Sequence, residues 1–388
     1  MAATPADDAR HMRRALTLAA RARGATGTNP MVGCVITDRR GRVVGEGYHE
    51  QYGGPHAEVN ALSEAGDAAR GGTVYVTLEP CSHFGKTPPC ADAVVAAGPA
   101  RVVVAMQDPF PEVSGRGLDR LRDAGITVEV GLLQRQARLL NAAFLKRVAT
   151  GQPFVTVKYA MTLDGRVATR TGHSKWISGP AARRIVHKLR GEHDVILAGI
   201  GTVLADDPLL TPRPPGPAAC ARYIIDPYLQ TPPDSQLLRT ATEADPVTLL
   251  CRDDVPTRPL RDAAPHLRAI PIAVQDGSLP IPAILDALTA DGIGSVFVEG
   301  GSRVVGRFFD TPQPGCPATS EPATSTIDAA HVFIAPKFAG GESALGPIGG
   351  HGRPRIPETT DFTTHAVRTI EGDIYVRGLL QKPWLAPE

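Results

Sequence analysis

Pro55-His56-Ala57-Glu58 and, one strand further on, Glu79-Pro80-Cys81-Ser82-His83-Phe84-Gly85-Lys86-Thr87-Pro88-Pro89-Cys90 decide how this chain is read. One histidine and two cysteines offer one nitrogen and two thiolates. Three such ligands leave the fourth tetrahedral position for water, the open geometry a catalytic zinc needs. Glu58 stands two positions past His56, near enough to move protons without being a ligand. Two blander readings stay open: a core histidine with two buried thiols, or a structural zinc with His83 as fourth ligand. Cys-x-His is cramped spacing for two ligands of one tetrahedral ion.

Zinc with a glutamate acid/base is the constellation of base deaminases, with the signature His-x-Glu followed by Pro-Cys-x-x-Cys. The first half is present. The cysteines, however, stand nine positions apart.

A length of 388 residues exceeds one typical core, so two domains are expected. With 42% hydrophobic and 21% charged residues the chain reads as globular rather than disordered. A formal net charge of +1 leaves no global footprint for nucleic acid. Apolar runs of a few residues predict no membrane span. Met1 to Arg14 is charged and lacks a signal-peptide core, so a cytoplasmic location is expected. Six cysteines (Cys34, Cys81, Cys90, Cys220, Cys251, Cys316) in so long a chain do not suggest a disulfide scaffold.

Periodicity predicts a helix over 8–23 with Asp8 near its start, strands over 32–37 and at 43–44, and a helix over 56–65 stopped by Gly66. Strand 73–78 leads to Cys81. Pro88-Pro89-Cys90 opens a helix, where a thiolate is favoured. Strand 101–106, helix 117–124, strand 126–130 and a single long helix over 133–148 follow. Such alternation implies a layered α/β domain with His56 and Cys90 side by side at one end of the sheet. A boundary is expected at 150–153. A second run places strands at 154–160, 194–198, 223–226, 247–250, 269–273, 295–298, 332–335, 367–370 and 374–379. Its helices are expected at 180–190, 281–290 and 302–309. Residues 311–326, rich in Pro, Thr and Ser, read as a mobile insertion. Gly199-Ile200-Gly201-Thr202 and Glu299-Gly300-Gly301-Ser302 follow strands. Alone, each is more often a turn than a cofactor site, although a helix start can bind phosphate.

Thr28-Asn29-Pro30-Met31-Val32-Gly33-Cys34-Val35, Gly47-Tyr48-His49, Pro55 to Val59 and Thr77 to Cys90 together resemble the deaminase half of the bifunctional riboflavin-biosynthesis deaminase/reductases, the RibD family. That family carries eight residues between its cysteines, as here. The second half resembles the family's reductase in Met161-Thr162-Leu163-Asp164-Gly165-Arg166, Ser174 to Gly179, Gly199 to Thr211, Val298 to Gly301 and Ala335-Pro336-Lys337.

The resemblance implies a cytidine-deaminase-like three-layer α/β/α domain over 1–150 and a dihydrofolate-reductase-like α/β domain over 151–388. It implies one Zn2+ per chain, held by His56, Cys81 and Cys90, with Glu58 catalytic. Asn29, His49 and Lys86 would bind the first substrate. NADPH would be bound by Ala160, Trp176, Thr202, Asp206 and the turn Gly301, Ser302, Arg303, Val304, Val305, Gly306 and Arg307. Ser174, Arg190, Leu210, Arg213 and Glu299 would hold the second substrate, with the arginine pair clamping a sugar phosphate. The partner implied is a small-molecule ribosylaminopyrimidine phosphate, with no nucleic acid and no membrane, and the protein would be a homo-oligomer, dimer or tetramer. Two positions depart from the family: Phe110 replaces an asparagine, and Pro227 a small polar residue. The alternatives are a nucleotide-type deaminase, a chain with one inactive domain, and a non-catalytic binding protein.

Overall fold

The computed structural model describes residues 4–82, 89–110, 114–217, 220–257, 266–313, 325–358 and 361–385. The chain divides into two compact units, Met1–Ala149 with Trp384–Glu388, and Thr150–Pro383. The sequence reading put everything from 151 onward in the second domain. Trp384 instead belongs with the first, where its carbonyl accepts a bond from Arg138 Nη2 at 3.0 Å.

In order, the first unit runs α1 (Pro5–Ala19), β1 (Gly33–Thr37), β2 (Val43–Tyr48), α2 (Ala57–Ala65), β3 (Thr73–Val76), α3 (Cys90–Ala97), β4 (Arg101–Val104), α4 (Arg116–Asp123), β5 (Thr127–Val130), α5 (Gln134–Leu140) and α6 (Ala142–Thr150). Its sheet has the order β2-β1-β3-β4-β5. β1 is antiparallel to both neighbours, and β3, β4 and β5 are parallel.

Alternation along the strands puts helices on both faces. A Cβ on Gly33 would lie 2.0 Å from the Ala15 carbonyl oxygen, so α1 packs onto that face. A Cβ on Gly47 would lie 2.5 Å from both the Ala57 carbonyl and the Ala61 nitrogen, so α2 packs there. Gly47 pairs with Cys34, the residue after Gly33, and successive residues face opposite ways. Hence α1 and α2 cover opposite faces, a three-layer arrangement in which Cys34 faces the α2 side.

Two expectations change. The helix predicted over 133–148 is broken at Asn141, which is buried. Its side chain brackets the Met31 peptide, accepting from Met31 N at 2.8 Å and donating to Met31 O at 3.0 Å. Asn141 leaves the helical conformation to make that pair of bonds. The first helix begins at Pro5 rather than at residue 8, with Asp7 and Asp8 both in its first turn. Thr4 and Asp7 form a capping box, worth about 1 kcal/mol.

The second unit runs β6 (Phe154–Thr162), α7 (Pro180–Arg190), β7 (Val195–Gly199), α8 (Ile200–Asp206), β8 (Ala221–Ile225), α9 (Gln236–Arg239), β9 (Val247–Arg252), β10 (Leu267–Ile272), α10 (Ile281–Ala290), β11 (Ser295–Val298), α11 (Ser302–Asp310), β12 (Ala329–Ala335), β13 (Phe362–Ile370) and β14 (Asp373–Leu380). One nine-stranded sheet has the order β10-β9-β8-β7-β11-β6-β12-β14-β13. β13 and β14 are its antiparallel edge; the other strands are parallel. After stepping outward through β7, β8, β9 and β10, the chain returns to insert β11 between β7 and β6. The carboxyl ends of β7 and β11 are therefore neighbours at a switch in strand order, where open α/β sheets bind ligands. Asp226, just past β8, is fully buried; its carboxylate accepts from Gln230 N, Thr231 N and Thr231 Oγ1.

Residues 314–324 of the expected insertion lie outside the described residues. The flanking Gln313, Ser325 and Thr326 are buried, and Thr326 Oγ1 donates to the Phe308 carbonyl at 2.7 Å. Among the described residues no helix is long and apolar enough to cross a membrane.

Asp8 has a different task. Arg101 Nη1 and Nη2 grip its carboxylate at 2.9 and 2.8 Å, and Tyr75 Oη donates to it at 2.6 Å. The Arg101 bonds hold its pKa below the ordinary carboxylate value. Its contribution is therefore complete above an unfolded-state pKa of about 4 and is lost as pH falls through the lower folded-state value. Asp8→Asn is expected to lower the first unit's stability by about 1–3 kcal/mol at pH 7. In urea unfolding, that difference should shrink as the pH is taken below about 4.

Candidate active sites

His56 immediately precedes α2 in extended conformation, and Cys90 is the first residue of α3. The two helices pack against each other. Cys81 arrives from the end of β3. His56 Nδ1 lies 3.0 Å from Cys90 Sγ and 3.6 Å from Cys81 Sγ, and all three donor atoms lie within 4.8 Å of one another. A tetrahedral zinc with Zn–N of about 2.0–2.1 Å and Zn–S of about 2.3 Å sets N···S near ~3.5 Å. The observed distances bracket that value, so the donor set fits the ion. His83, the alternative fourth ligand, lies outside the described residues, as does Lys86.

The protonation of the cluster suits metal capture. A bond from Cys90 brings the Cys81 thiol down to about 4, and the Cys90 backbone N–H donates to Cys81 Sγ at 3.3 Å. The same sharing, with burial, pushes Cys90 far up. Cys81 is thus the thiolate and Cys90 the thiol that shares its proton. Glu58, in the first turn of α2 and 3% exposed, is pushed up to about 7 by burial. A carboxyl so placed can both take and give a proton near neutral pH.

His49 departs from its expected role. Its Nδ1 is 3.1 Å from the Pro55 carbonyl, which only accepts, so Nδ1 carries the proton. Its Nε2 then accepts from Asn29 Nδ2 at 3.3 Å. With both nitrogens engaged and 3% exposure, His49 stands behind Asn29 and orients it. Burial lowers its pKa, consistent with the neutral ring. Sequence reasoning missed Glu79, whose buried carboxylate accepts from the backbone nitrogens of Asp108, Gly115, Gly117 and Leu118. It fixes the loop that carries Phe110 to the strand that delivers Cys81. An acid at the end of the apolar stretch 73–78 was the available signal.

In the second unit, Gly199 and Gly300 face each other across the β7/β11 switch. A Cβ on either would lie within 2.7 Å of the Val304 side chain, at 2.7 Å from Gly199 and 2.5 Å from Gly300. Gly301 caps α11, whose first backbone N–H groups open here. Gly199-Ile200-Gly201-Thr202 forms the start of α8 rather than a loop. Thr202 is half-buried, and Asp206 pairs with Lys175 at 3.2 Å. Ser302 is buried and Arg303 exposed. Within the expected 301–307 turn, three residues point elsewhere. Val305 is in the core, Gly306 packs on Gly349, and Arg307 donates to the Leu279 carbonyl. A cofactor contact from Val305 or Arg307 would have to come from backbone.

Ala160 and Ser174 are half-buried, whereas Trp176 is 66% exposed. Leu210 is buried in a left-handed conformation (φ 52°), so its side chain is turned inward. The expected arginine clamp is not formed. Arg190 is engaged by Glu299 at 2.5 and 3.1 Å and by the Thr211 carbonyl at 3.1 Å, while Arg213 is exposed. Lys158, 3.8 Å from Glu299, completes this cluster and was missed. A lone lysine in the apolar strand 154–160 was its signal. Burial raises the Glu299 pKa, but Arg190 and Lys158 outweigh it and keep the carboxylate charged.

Two family models match. The RibD C-terminal domain covers residues 153–376, and the cytidine and deoxycytidylate deaminase zinc-binding region covers residues 5–106. Riboflavin biosynthesis protein RibD of Actinobacillus pleuropneumoniae is 38% identical over 380 residues, 97% of this chain and 96% of its own length. The chain belongs to the RibD family. RibD of Escherichia coli is 39% identical over 95% of this chain and 98% of its own length. The crystal structure of a Thermotoga maritima protein described as a diaminohydroxyphosphoribosylaminopyrimidine deaminase/5-amino-6-(5-phosphoribosylamino)uracil reductase superposes with a TM-score of 0.82 at 33% identity, covering 97% of this chain and 99% of that one. Acinetobacter baumannii RibD gives a TM-score of 0.81 at 35% identity, covering 97% and 100%.

Membership of the RibD family makes the chain a bifunctional deaminase and reductase of riboflavin biosynthesis. Against that pattern, Phe110 is 41% exposed, and its backbone nitrogen is held by Asp108 Oδ1 at 2.9 Å. Elemental analysis of purified protein is expected to give about one zinc per chain. Cys90→Ser is expected to lower metal content at least about tenfold at limiting free zinc, with reduction of pre-deaminated substrate unchanged.

Proposed function

We propose that the first unit deaminates diaminohydroxyphosphoribosylaminopyrimidine at a zinc held by His56, Cys81 and Cys90. The second unit then reduces the ribosyl side chain of 5-amino-6-(5-phosphoribosylamino)uracil with NADPH. The observation that carries this is the convergence of His56 Nδ1, Cys81 Sγ and Cys90 Sγ within 4.8 Å of one another, with the buried Glu58 carboxyl hydrogen-bonded to Cys90. Family membership supplies the substrate class.

Zinc, when bound, supplies Lewis-acid activation that makes a water nucleophilic near neutral pH. Glu58 does the proton work. Its carboxylate takes a proton from the attacking water and returns it to the departing ammonia. Asn29, held by His49, presents its free amide oxygen to the pyrimidine edge. Lys86 is assigned to the phosphate from the resemblance.

NADPH, when bound, supplies the hydride. Gly199 and Gly300 leave room for the Val304 side chain, which seats α11 against the switch, and the start of α11 faces the cofactor's phosphates. Ala160, Trp176, Thr202, Asp206 and Gly301 to Val304 border this path. Ser174, Leu210 through its backbone, Arg213 and the Arg190–Glu299–Lys158 cluster border the substrate. With two cations to one carboxylate, that cluster favours a phosphorylated sugar. A cytoplasmic homo-oligomer belongs to this reading on family grounds.

In a coupled assay with the ribosylaminopyrimidine phosphate and NADPH, consumption should require zinc and be rescued, without zinc, by deaminated intermediate. Consumption only with added intermediate would refute the deaminase assignment. Glu58→Gln should lower deamination about 10²–10⁴-fold while keeping its zinc and its reductase rate; unchanged deamination removes Glu58 from the mechanism.

A further inference from the structure

Two segments that carry the family resemblance, Met161 to Arg166 and Ala335-Pro336-Lys337, have no task in the reactions above. In the structure they bind each other and hold a third segment. At the ends of β6 and β12, Leu163 N donates to the Lys337 carbonyl at 2.8 Å. The Asp164 carboxylate accepts from Ala339 N at 3.2 Å, Gly340 N at 2.7 Å and Thr162 Oγ1 at 2.5 Å. These bonds hold the Asp164 pKa down to about 2, so it stays charged. A second pin lies further along: Arg166 Nη1 donates to Ala344 O at 2.7 Å and Val167 N to Leu345 O at 2.9 Å.

Lys337 itself reaches across. Its Nζ donates to the carbonyls of Trp176 and Ile177 at 2.7 and 2.8 Å. These two residues lie in the segment between β6 and α7 that also carries Ser174. Trp176 is gripped twice, because the Arg183 guanidinium lies 4.5 Å from its ring centroid while Arg183 Nη1 bonds the Ser178 carbonyl at 2.7 Å. The segment's far end is pinned by Gly179 N to Asp373 Oδ2 at 2.7 Å. An exposed indole would otherwise sample many orientations; here backbone and ring are both fixed, and the residue stays 66% exposed.

We propose that Lys337, its turn locked by Asp164, is a positioning residue of the reductase: it sets the Trp176–Ile177 backbone so that the Trp176 ring meets NADPH preorganised. The proposal rests on the assignment of Trp176 to the cofactor path. A charge-assisted pair of bonds to two carbonyls suits the task, since it fixes position without contributing a group to the chemistry. Lysine supplies several donors from one nitrogen, so both carbonyls can be held at once.

The chain has two tryptophans, Trp176 and Trp384. In a Trp384→Phe background, quenching of the remaining indole on NADPH addition reports the proposed contact directly. The parent is expected to quench. Lys337→Met is expected to weaken NADPH binding about tenfold, the scale of a lost charged hydrogen bond, and to raise KM for NADPH with a smaller change in kcat. Lys337→Arg should recover most of the affinity. Asp164→Asn should act in the same direction, and the double variant should bind little worse than Lys337→Met, because both changes release one element. Reduction at saturating NADPH, together with an unchanged thermal unfolding transition, reports that the second unit of each variant is folded. No quenching in the parent overturns the placement of Trp176 and the latch with it. Quenching with an affinity that Lys337→Met leaves unchanged overturns the latch alone, as does a loss confined to kcat.

Discussion

The close approach of α2 to its sheet is the constraint on which the first half depends. Gly47 removes the side chain that would hold the helix off, so Ala57 and Ala61 rest on β2. That contact fixes where α2 begins and therefore where His56 stands. With α3 packed alongside, Cys90 opens a second helix next to His56, and the first N–H groups of α3 turn to Cys81: Cys90 N donates to its Sγ and Ala91 N to its carbonyl. A thiolate is favoured there, as the bond from Cys90 N to Cys81 Sγ shows, and the thiolate in turn attracts the cation it would hold. Glu58, in the first turn of α2, is buried by the same packing, which raises its proton affinity into the useful range.

The second half solves a similar problem with different means. The site proposed for its chemistry also lies where parallel strands hand over to helices, but no side chain there has an unusual identity. What matters is the return of β11 to a place between β6 and β7, which sets two glycine junctions side by side. Charge then enters from the strands: Lys158 from β6, Glu299 from the end of β11 and Arg190 from the end of α7 form one compact group. Each is tolerable in a low-dielectric setting only because the others are present.

Much of this was legible in the residues. His56, Glu58, Cys81 and Cys90 carry rare chemistry at fixed spacing, and the alternation of strands and helices gave the layering. The order of the second sheet was not legible, because strand neighbours are chosen by long-range packing rather than local pattern. Asn141 was hidden inside an apparently continuous helical period, since its partner is the distant Met31 peptide. His49 and Arg190 were read as ligand-binding groups; the fold adds that each is also held by partners within the protein. A sequence shows which side chains can donate a hydrogen bond, and only the fold shows which donors are already engaged. Glu79, Lys158 and Lys337 went unassigned because each acts through contacts made far away in the chain.

The inward turn of Asp226 bears on the charge that this sheet edge would present to a nucleotide. Dinucleotide-binding sheets that prefer the unphosphorylated form place an acidic side chain past a strand end, where it bonds the adenosine ribose and repels a 2′-phosphate. Asp226 stands just past β8 on the same edge, yet both of its oxygens are taken by the loop at 230–231. With that carboxylate withdrawn into the protein and Pro227 beside it, the edge is shaped by its own loop closure in a way that leaves a phosphorylated ribose unopposed by Asp226.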